Sequence, residues 1–519
     1  MADAGGEFLM ASIQLGAQPL TIEQLWLIAH RQMSVTLSED CIGRVGRSAA
    51  HADAALASEG VIYGVTTGYG DSCTTVVPAD LVAELPLHLS RYHGCGTGRM
   101  LTEIETRAVM AVRLTALLHG WSGVSLDLVR LLADMLRLDI LPQIPAEGSV
   151  GASGDLTPLS YIAGALVGER EVLWNGEIMM ACDAFARAGL RPIVLRPKEA
   201  LAIMNGTAIM TGLAALALVR ARNLARLSSR LTAMATIGLT GNPRHFDERL
   251  FDAKPHPGQM QVAADIRADL AAFDARHMPT RLQDRYSIRC APHVIGVLVD
   301  MLPTFTRQIE IEMNSANDNP LFDPEDGAIH HGGHFYGGHI AFVADGLKIL
   351  VANLADLMDR QFALLVDARY NNGLPANLSG VTGPRAAINH GLKAVQIAVS
   401  AWTAEALKGT IAASIFSRST ECHNQDKVSM GTIAARDALR VIDLSEQVAA
   451  AHLLACAQAI RLRQRDHGLD ADRIGSRIGD FMSALGDAVP MLVEDCRLDH
   501  VLTKLSYSVA SGALAFGNW

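Results

Sequence analysis

The chain has 519 residues, half of them hydrophobic but only 5% aromatic, and it exceeds the roughly 250–300 residues that one hydrophobic core usually holds. Its net charge of -10 at pH 7 argues against a nucleic-acid partner, which calls for a basic face. The cysteines, Cys41, Cys73, Cys95, Cys182, Cys290, Cys422, Cys456 and Cys496, are scattered without a C-x-x-C pair. That pattern predicts reduced thiols of a cytoplasmic protein rather than a disulfide framework.

In chain order, residues 1–20 are acidic, lack the apolar run of a signal peptide and are expected to be a disordered leader. Residues 21–200 form a loop-rich N-terminal part with glycine clusters at Tyr63–Gly70, Gly94–Gly98 and Gly148–Gly154. Within it Ser125 reads as the N-cap of a helix carrying Leu128, Leu131, Leu132, Met135 and Leu136 at helical spacing, stopped by Pro142. Glu171–Trp174 before Asn175-Gly176 reads as a strand entering a tight turn. Residues 201–519 predict a bundle of long helices over about Thr207–Leu239, Ile340–Val366, Lys393–Phe416 and Thr432–Leu462. The fold class is therefore mainly α. The apolar run Leu213–Val219 is soon followed by Arg220 and Arg222; no segment offers the ~18 uninterrupted apolar residues of a membrane span, and no membrane partner is expected.

The glycine loops match neither the P-loop nor a GxGxxG between strand and helix, and Gly-Ala-Ser153-Gly-Asp is not a GxSxG nucleophile turn. His330, His331, His334 and His339 cluster in HHGGHFYGGH, but without an HExxH frame they do not predict a metal site. In EGSVGASGDLTPLS, Asp155 reads as an N-cap and Pro158 lies in the first helical turn. Ala152-Ser153-Gly154 then sits just ahead of a helix N-terminus, where partial positive charge gathers.

VGASGDLTPLS, YGVTTGYG, MNGTAIMTG, YSIRCAP and NSANDNP together resemble the aromatic amino acid and histidine ammonia-lyase family over about residues 20–465. The resemblance implies a fumarase/aspartase-like helical architecture and a 4-methylidene-imidazol-5-one (MIO) group formed from Ala152-Ser153-Gly154. Closure needs the Gly154 nitrogen to reach the Ala152 carbonyl, which glycine's backbone freedom permits; dehydration of Ser153 completes an electrophile. No metal and no diffusible cofactor is implied. The resemblance further implies a homotetramer whose active sites draw on three chains and which eliminates ammonia from an L-α-amino acid.

By the same resemblance Tyr63 is the base and Tyr286 a second tyrosine assisting elimination. Arg289 is the carboxylate anchor, Asn205 binds the MIO ring and substrate, and Phe335 and Gln425 belong to the pocket. Tyr92 and His93 fall on the side-chain selectivity pair, and a buried His93 facing an apolar phenyl ring would be left unpaired. Gln425 replaces the glutamate of histidine lyases, while Glu421 and Lys393 match residues of plant-type phenylalanine lyases, with Glu421 placed to contact the substrate amine. These positions point to L-tyrosine, with L-phenylalanine as a further substrate and p-coumarate (or cinnamate) as product. A histidine ammonia-lyase, a tyrosine 2,3-aminomutase and a catalytically silent member are the alternatives. His334 departs from the asparagine that most members carry.

Overall fold

The computed structural model describes residues 11–58, 60–274, 281–323 and 325–514. Among the described residues, four helices have 23 residues or more, about twice the usual ~11–12: Ala208–Gly238, Ala291–Met313, Gly338–Val366 and Gly431–His467. By its contacts the chain forms two compact units, each discontinuous in sequence. One comprises Met1–Leu216, Thr306–Asp345 and Ala412–Arg436; the other comprises Ala217–Phe305, Gly346–Ile411 and Asp437–Trp519. The single cut expected near residue 200 is thus replaced by several, four of which fall inside the long helices. A long helix buries different stretches in different surroundings, so linear order does not mark its units.

In the first unit the helix Glu103–Leu117 opens on a capping box, Thr102 with Glu105, and buries nearly every residue. Ser125 caps Leu126–Arg137 as expected, its hydroxyl accepting the Leu128 amide at 3.3 Å. Glu171–Trp174 pairs antiparallel with Glu177–Met180. Asn175 and Gly176 turn between them with φ of 51° and 79°, the left-handed pair that a two-residue hairpin demands.

Part of the expected leader is ordered: Ala11–Leu15 pairs in parallel with Met33–Leu37, while residues 1–10 lie outside the described residues. ASIQL alternates apolar and polar residues, the period-two pattern of a half-buried strand, which the reading of residues 1–20 as a leader passed over. Beneath the unit's surface Lys198 and Asp318, each 1% exposed, form an ion pair, and Ser122 donates to the same carboxylate.

In the second unit the helices are tied by buried polar contacts. Gln361 donates to Thr232 at 2.9 Å, and its oxygen meets His452 Nε2 at 3.0 Å. Lys393–Phe416 is not one helix: it ends at Lys408, capped by Gly409, and a separate 3₁₀ turn covers Ala413–Phe416. Gly409 carries the helix-ending cost of glycine. Ala291–Met313 was not foreseen, because Pro303 stands inside it and a mid-helix proline reads as a break. Two helices, Ala208–Gly238 and Tyr286–Met313, are long and apolar enough on average to cross a membrane by length and composition, though neither holds an uninterrupted apolar run of that length. The apolar window of the first is 83% buried, as in a core helix.

Replacing Lys198 by Met leaves Asp318 charged in a dry interior, at a cost of about 3–5 kcal/mol. A marked fall in melting temperature is expected for Lys198→Met, with part of it recovered in the Lys198→Met/Asp318→Leu double variant.

Candidate active site

The site lies in the first unit and begins with two glycines in contact. Gly154 and Gly206 form an isolated bridge, the Gly206 amide donating to Ser153 O at 3.2 Å and the Asp155 amide to Gly206 O at 2.7 Å. Ser153 and Gly154 both have left-handed backbone, φ 49° and 77°. A Cβ on Gly154 would collide with the Gly206 carbonyl, so this crossing admits no other residue without displacement.

Polar groups hold both strands of the crossing. Behind Gly206, the fully buried Arg113 donates to the carbonyls of Ala202 and Asn205 and to Asn317 Oδ1; burial lowers its pKa to about 10. Behind Gly154, Asp155 occupies the N-cap position of Leu156–Leu166 but does not cap it. Its carboxylate turns inward instead, accepting from Ser149 Oγ at 3.0 Å, the Met210 amide at 3.0 Å and Thr432 Oγ1. Burial pushes Asp155 up to about 6, against the pull of these donors. The expected cap is therefore a buried strut, and Pro158 lies in the first turn as expected.

Ala152 and Ser153 face a cavity of about 380 Å³ shared with Tyr63, Asn205, Phe335 and Gln425. Gln425 Nε2 donates to Ser153 Oγ at 3.2 Å. Asn205 is 3% exposed, and its Oδ1 has no hydrogen-bond partner among the described residues. The Tyr63 hydroxyl accepts the Gly70 amide at 2.9 Å. Burial raises the Tyr63 pKa, Gly70 lowers it, and the charges of Glu421 and Cys73 raise it further.

Other expected residues stand off the cavity wall. Tyr92 is 57% exposed and its ring lies 4.6 Å from that of His93, centroid to centroid. Burial pushes His93 down to about 4. Both Glu421 oxygens accept the Asp71 amide, at 2.9 and 3.1 Å. Glu421, Cys422 and His423 are three successive residues with φ of 50°, 54° and 66°, a conformation costing roughly 1–2 kcal/mol for each. Paired backbone bonds between Thr420 and Gln425, at 3.0 and 3.2 Å, hold that strained turn.

Tyr286, Arg289 and Lys393 belong to the second unit. Tyr286 is 72% exposed. The Arg289 guanidinium lies over its ring at 4.7 Å, and Arg289 Nε donates to Asp284 O. Lys393 begins the helix Lys393–Lys408.

The sequence reading did not single out the wall residues Asn319, Tyr336, Asn424, Asp426 and Lys427, or Cys73 and His331 as wall residues. Asn319 and His331 lie within or beside motifs already noticed, and Asn424–Lys427 surrounds Gln425, so neighbourhood was the available signal. Arg113 offered one other, an arginine that interrupts the apolar run between Ala108 and Leu114.

This geometry fits an internally formed ring. Ser153 and Gly154 are bent left-handed beneath a glycine that leaves them room, and the unpaired Asn205 oxygen lies on the same wall. The profile described as "Aromatic amino acid lyase" matches residues 20–485. A histidine ammonia-lyase of Gloeobacter violaceus is 36% identical over 498 residues, 95% of each chain. A phenylalanine ammonia-lyase of Nostoc punctiforme is 36% identical over 467 residues, 87% of this chain and 82% of that one. The crystal structure of a tyrosine aminomutase from Streptomyces globisporus superposes with a TM-score of 0.89 at 32% identity, covering 98% of both chains.

The His93 pKa carries a sign that can be measured. The unfolded chain takes up the proton near ~6.5, the folded one only near about 4, so His93 destabilises the fold progressively as pH falls through that interval. Urea midpoints of His93→Gln and the parent should therefore diverge in favour of His93→Gln between these two values. They should keep a constant separation above pH 7.5.

Proposed function

Because the chain belongs to the aromatic amino acid lyase family, we propose that it eliminates ammonia from an L-α-amino acid with a hydrogen-bonding aromatic ring, histidine first. The carrying observation is the set of hydrogen-bonding side chains on the cavity wall. Gln425, Asn424, Asp426, Lys427 and His331 stand there beside the apolar Ala152, Phe335 and Val428. A phenyl ring would leave such groups unpaired, which is costly in a desolvated site, whereas an imidazole offers them a donor and an acceptor. Histidine is put ahead of tyrosine by the full-length likeness to histidine ammonia-lyases. L-tyrosine, the preference expected from the sequence, becomes the second reading. It is favoured by an amide, Gln425, where the family resemblance gives histidine lyases a glutamate, and by the likeness to tyrosine aminomutase.

The family is known for MIO, and here Ala152-Ser153-Gly154 is its proposed source. That group supplies an electrophile that no coded side chain offers, making the substrate amine a better leaving group. The protein's own residues do the rest. Asn205 and Gln425 orient the group at position 153. The N-terminus of Leu156–Leu166 favours negative charge beside it. Tyr63 takes a β-proton from the substrate. Its raised pKa requires an alkaline optimum, since a phenol ordinarily titrates near ~10.

Arg289 is proposed to hold the substrate carboxylate and Tyr286 to assist elimination. Lys393 is proposed to stand near the substrate's charged end, and Tyr92 and His93 to discriminate its ring. A homotetramer with active sites shared between chains is part of the proposal. It is supported by apolar side chains left in water, Ile397 at 69%, Ile411 at 64% and Phe342 at 62% exposure. A cytoplasmic location agrees with the eight free cysteines.

The parent protein should weigh less than its sequence by two waters, and Ser153→Ala should restore the encoded mass and abolish turnover. Tyr63→Phe should keep the mass deficit and lose about 10²–10⁴ in kcat, the usual worth of a positioned acid–base group. Incubation with histidine, tyrosine and phenylalanine, with products resolved by chromatography, decides the substrate. Urocanate should dominate; p-coumarate in its place would promote tyrosine, and β-tyrosine would identify an aminomutase.

A further inference from the structure

We propose that Glu421 is a positioning residue that latches the Tyr63 loop. Its carboxylate accepts the Asp71 amide while the adjacent Gly70 amide holds the Tyr63 hydroxyl. Gly70–Thr74 is a single 3₁₀ turn, and successive amides in such a turn form a concavity suited to anionic oxygens. The phenol and the carboxylate occupy that concavity together. Gly70 has φ 59°, and a Cβ there would collide with the Glu421 carboxylate, so the latch requires glycine at this point.

The remaining hydrogen bonds of this loop are local. Gly68 donates to Thr75, Val77 to Thr66, and the Ile62 and Gly64 amides to threonines of the same loop. Among the described residues, Glu421 makes the hydrogen bonds that tie residues 61–77 to a distant part of the chain. The strained turn that presents Glu421 ends at Gln425, which reaches Ser153 Oγ. One rigid turn thus fixes the distance between the phenol on its loop and the serine on the opposite wall. Glu421 is absent from the cavity wall itself, which suits an action through the loop.

The latch rests on Tyr63 as the base and has an electrostatic consequence for it. Around the phenol stand Glu421, Cys73, Tyr69 and Tyr92, with His331, Asp426 and Lys427 on the shared cavity wall. The Glu421 charge opposes formation of the phenolate. A latch that kept the acceptor oxygen but not the charge would hold the loop and ease ionisation.

Hydrogen exchange of the unliganded full-length protein, read by mass spectrometry on peptides covering residues 61–77, tests the latch without any substrate. Glu421→Ala should exchange at least tenfold faster there than the parent, while Glu421→Gln stays within about twofold of it. Peptides from Leu126–Arg137 should be unchanged in both. In turnover, Glu421→Gln should move the acidic limb of kcat/KM to lower pH. Three outcomes overturn the proposal: equal loop exchange in Glu421→Ala and parent; equal acceleration in Ala and Gln variants; or acceleration that spreads to Leu126–Arg137. A substrate assignment that fails leaves the exchange result standing, so the two failures are distinguishable.

Discussion

The contact between Gly154 and Gly206 is the constraint around which the first unit is arranged. Two backbones approach closely enough to exclude any side chain, and that approach must be maintained by groups that neither backbone supplies. Arg113 grips the carbonyls on one side, and Asp155 gathers Ser149, Met210 and Thr432 on the other. Both charged groups are buried, and burying a charge is unfavourable unless several hydrogen bonds replace its water. The structure meets that condition at each.

The same logic explains why fully buried charge stands behind the loop. The left-handed backbone at Ser153 is strained, and strain survives only where the surroundings over-determine it. Polar struts with defined directions restrict a backbone more tightly than apolar packing, which tolerates small slips. The cavity side is left to groups with spare hydrogen-bonding capacity, notably the Asn205 oxygen.

What was legible in the sequence was what local rules encode. Ser125 with its apolar stripe and Asn175-Gly176 follow from capping and turn chemistry, and the structure has them; the helix after Asp155 is also there, but without the side-chain cap expected of Asp155. The helix holding Pro303 was invisible because tertiary packing overrode a local penalty. The inward turn of Asp155 was hidden for a related reason: its partners Met210 and Thr432 lie far along the chain, and no window around position 155 contains them. At the site, glycines and small residues in unusual strings marked the loop, but its supports did not share its neighbourhood. Arg113 and Asn317 become meaningful only when folding brings them behind Gly206.

The separation in sequence between Ser153 and its supports has a consequence for biosynthesis. Met430 donates to Val150 O at 3.0 Å, and Thr432 reaches Asp155, so the scaffold of the bend is incomplete until the ribosome has delivered residues near position 430. Any backbone reaction that depended on that bend would wait until those residues had been made. A nascent chain that stops short of them lacks the supports that Met430 and Thr432 give to Val150 and Asp155.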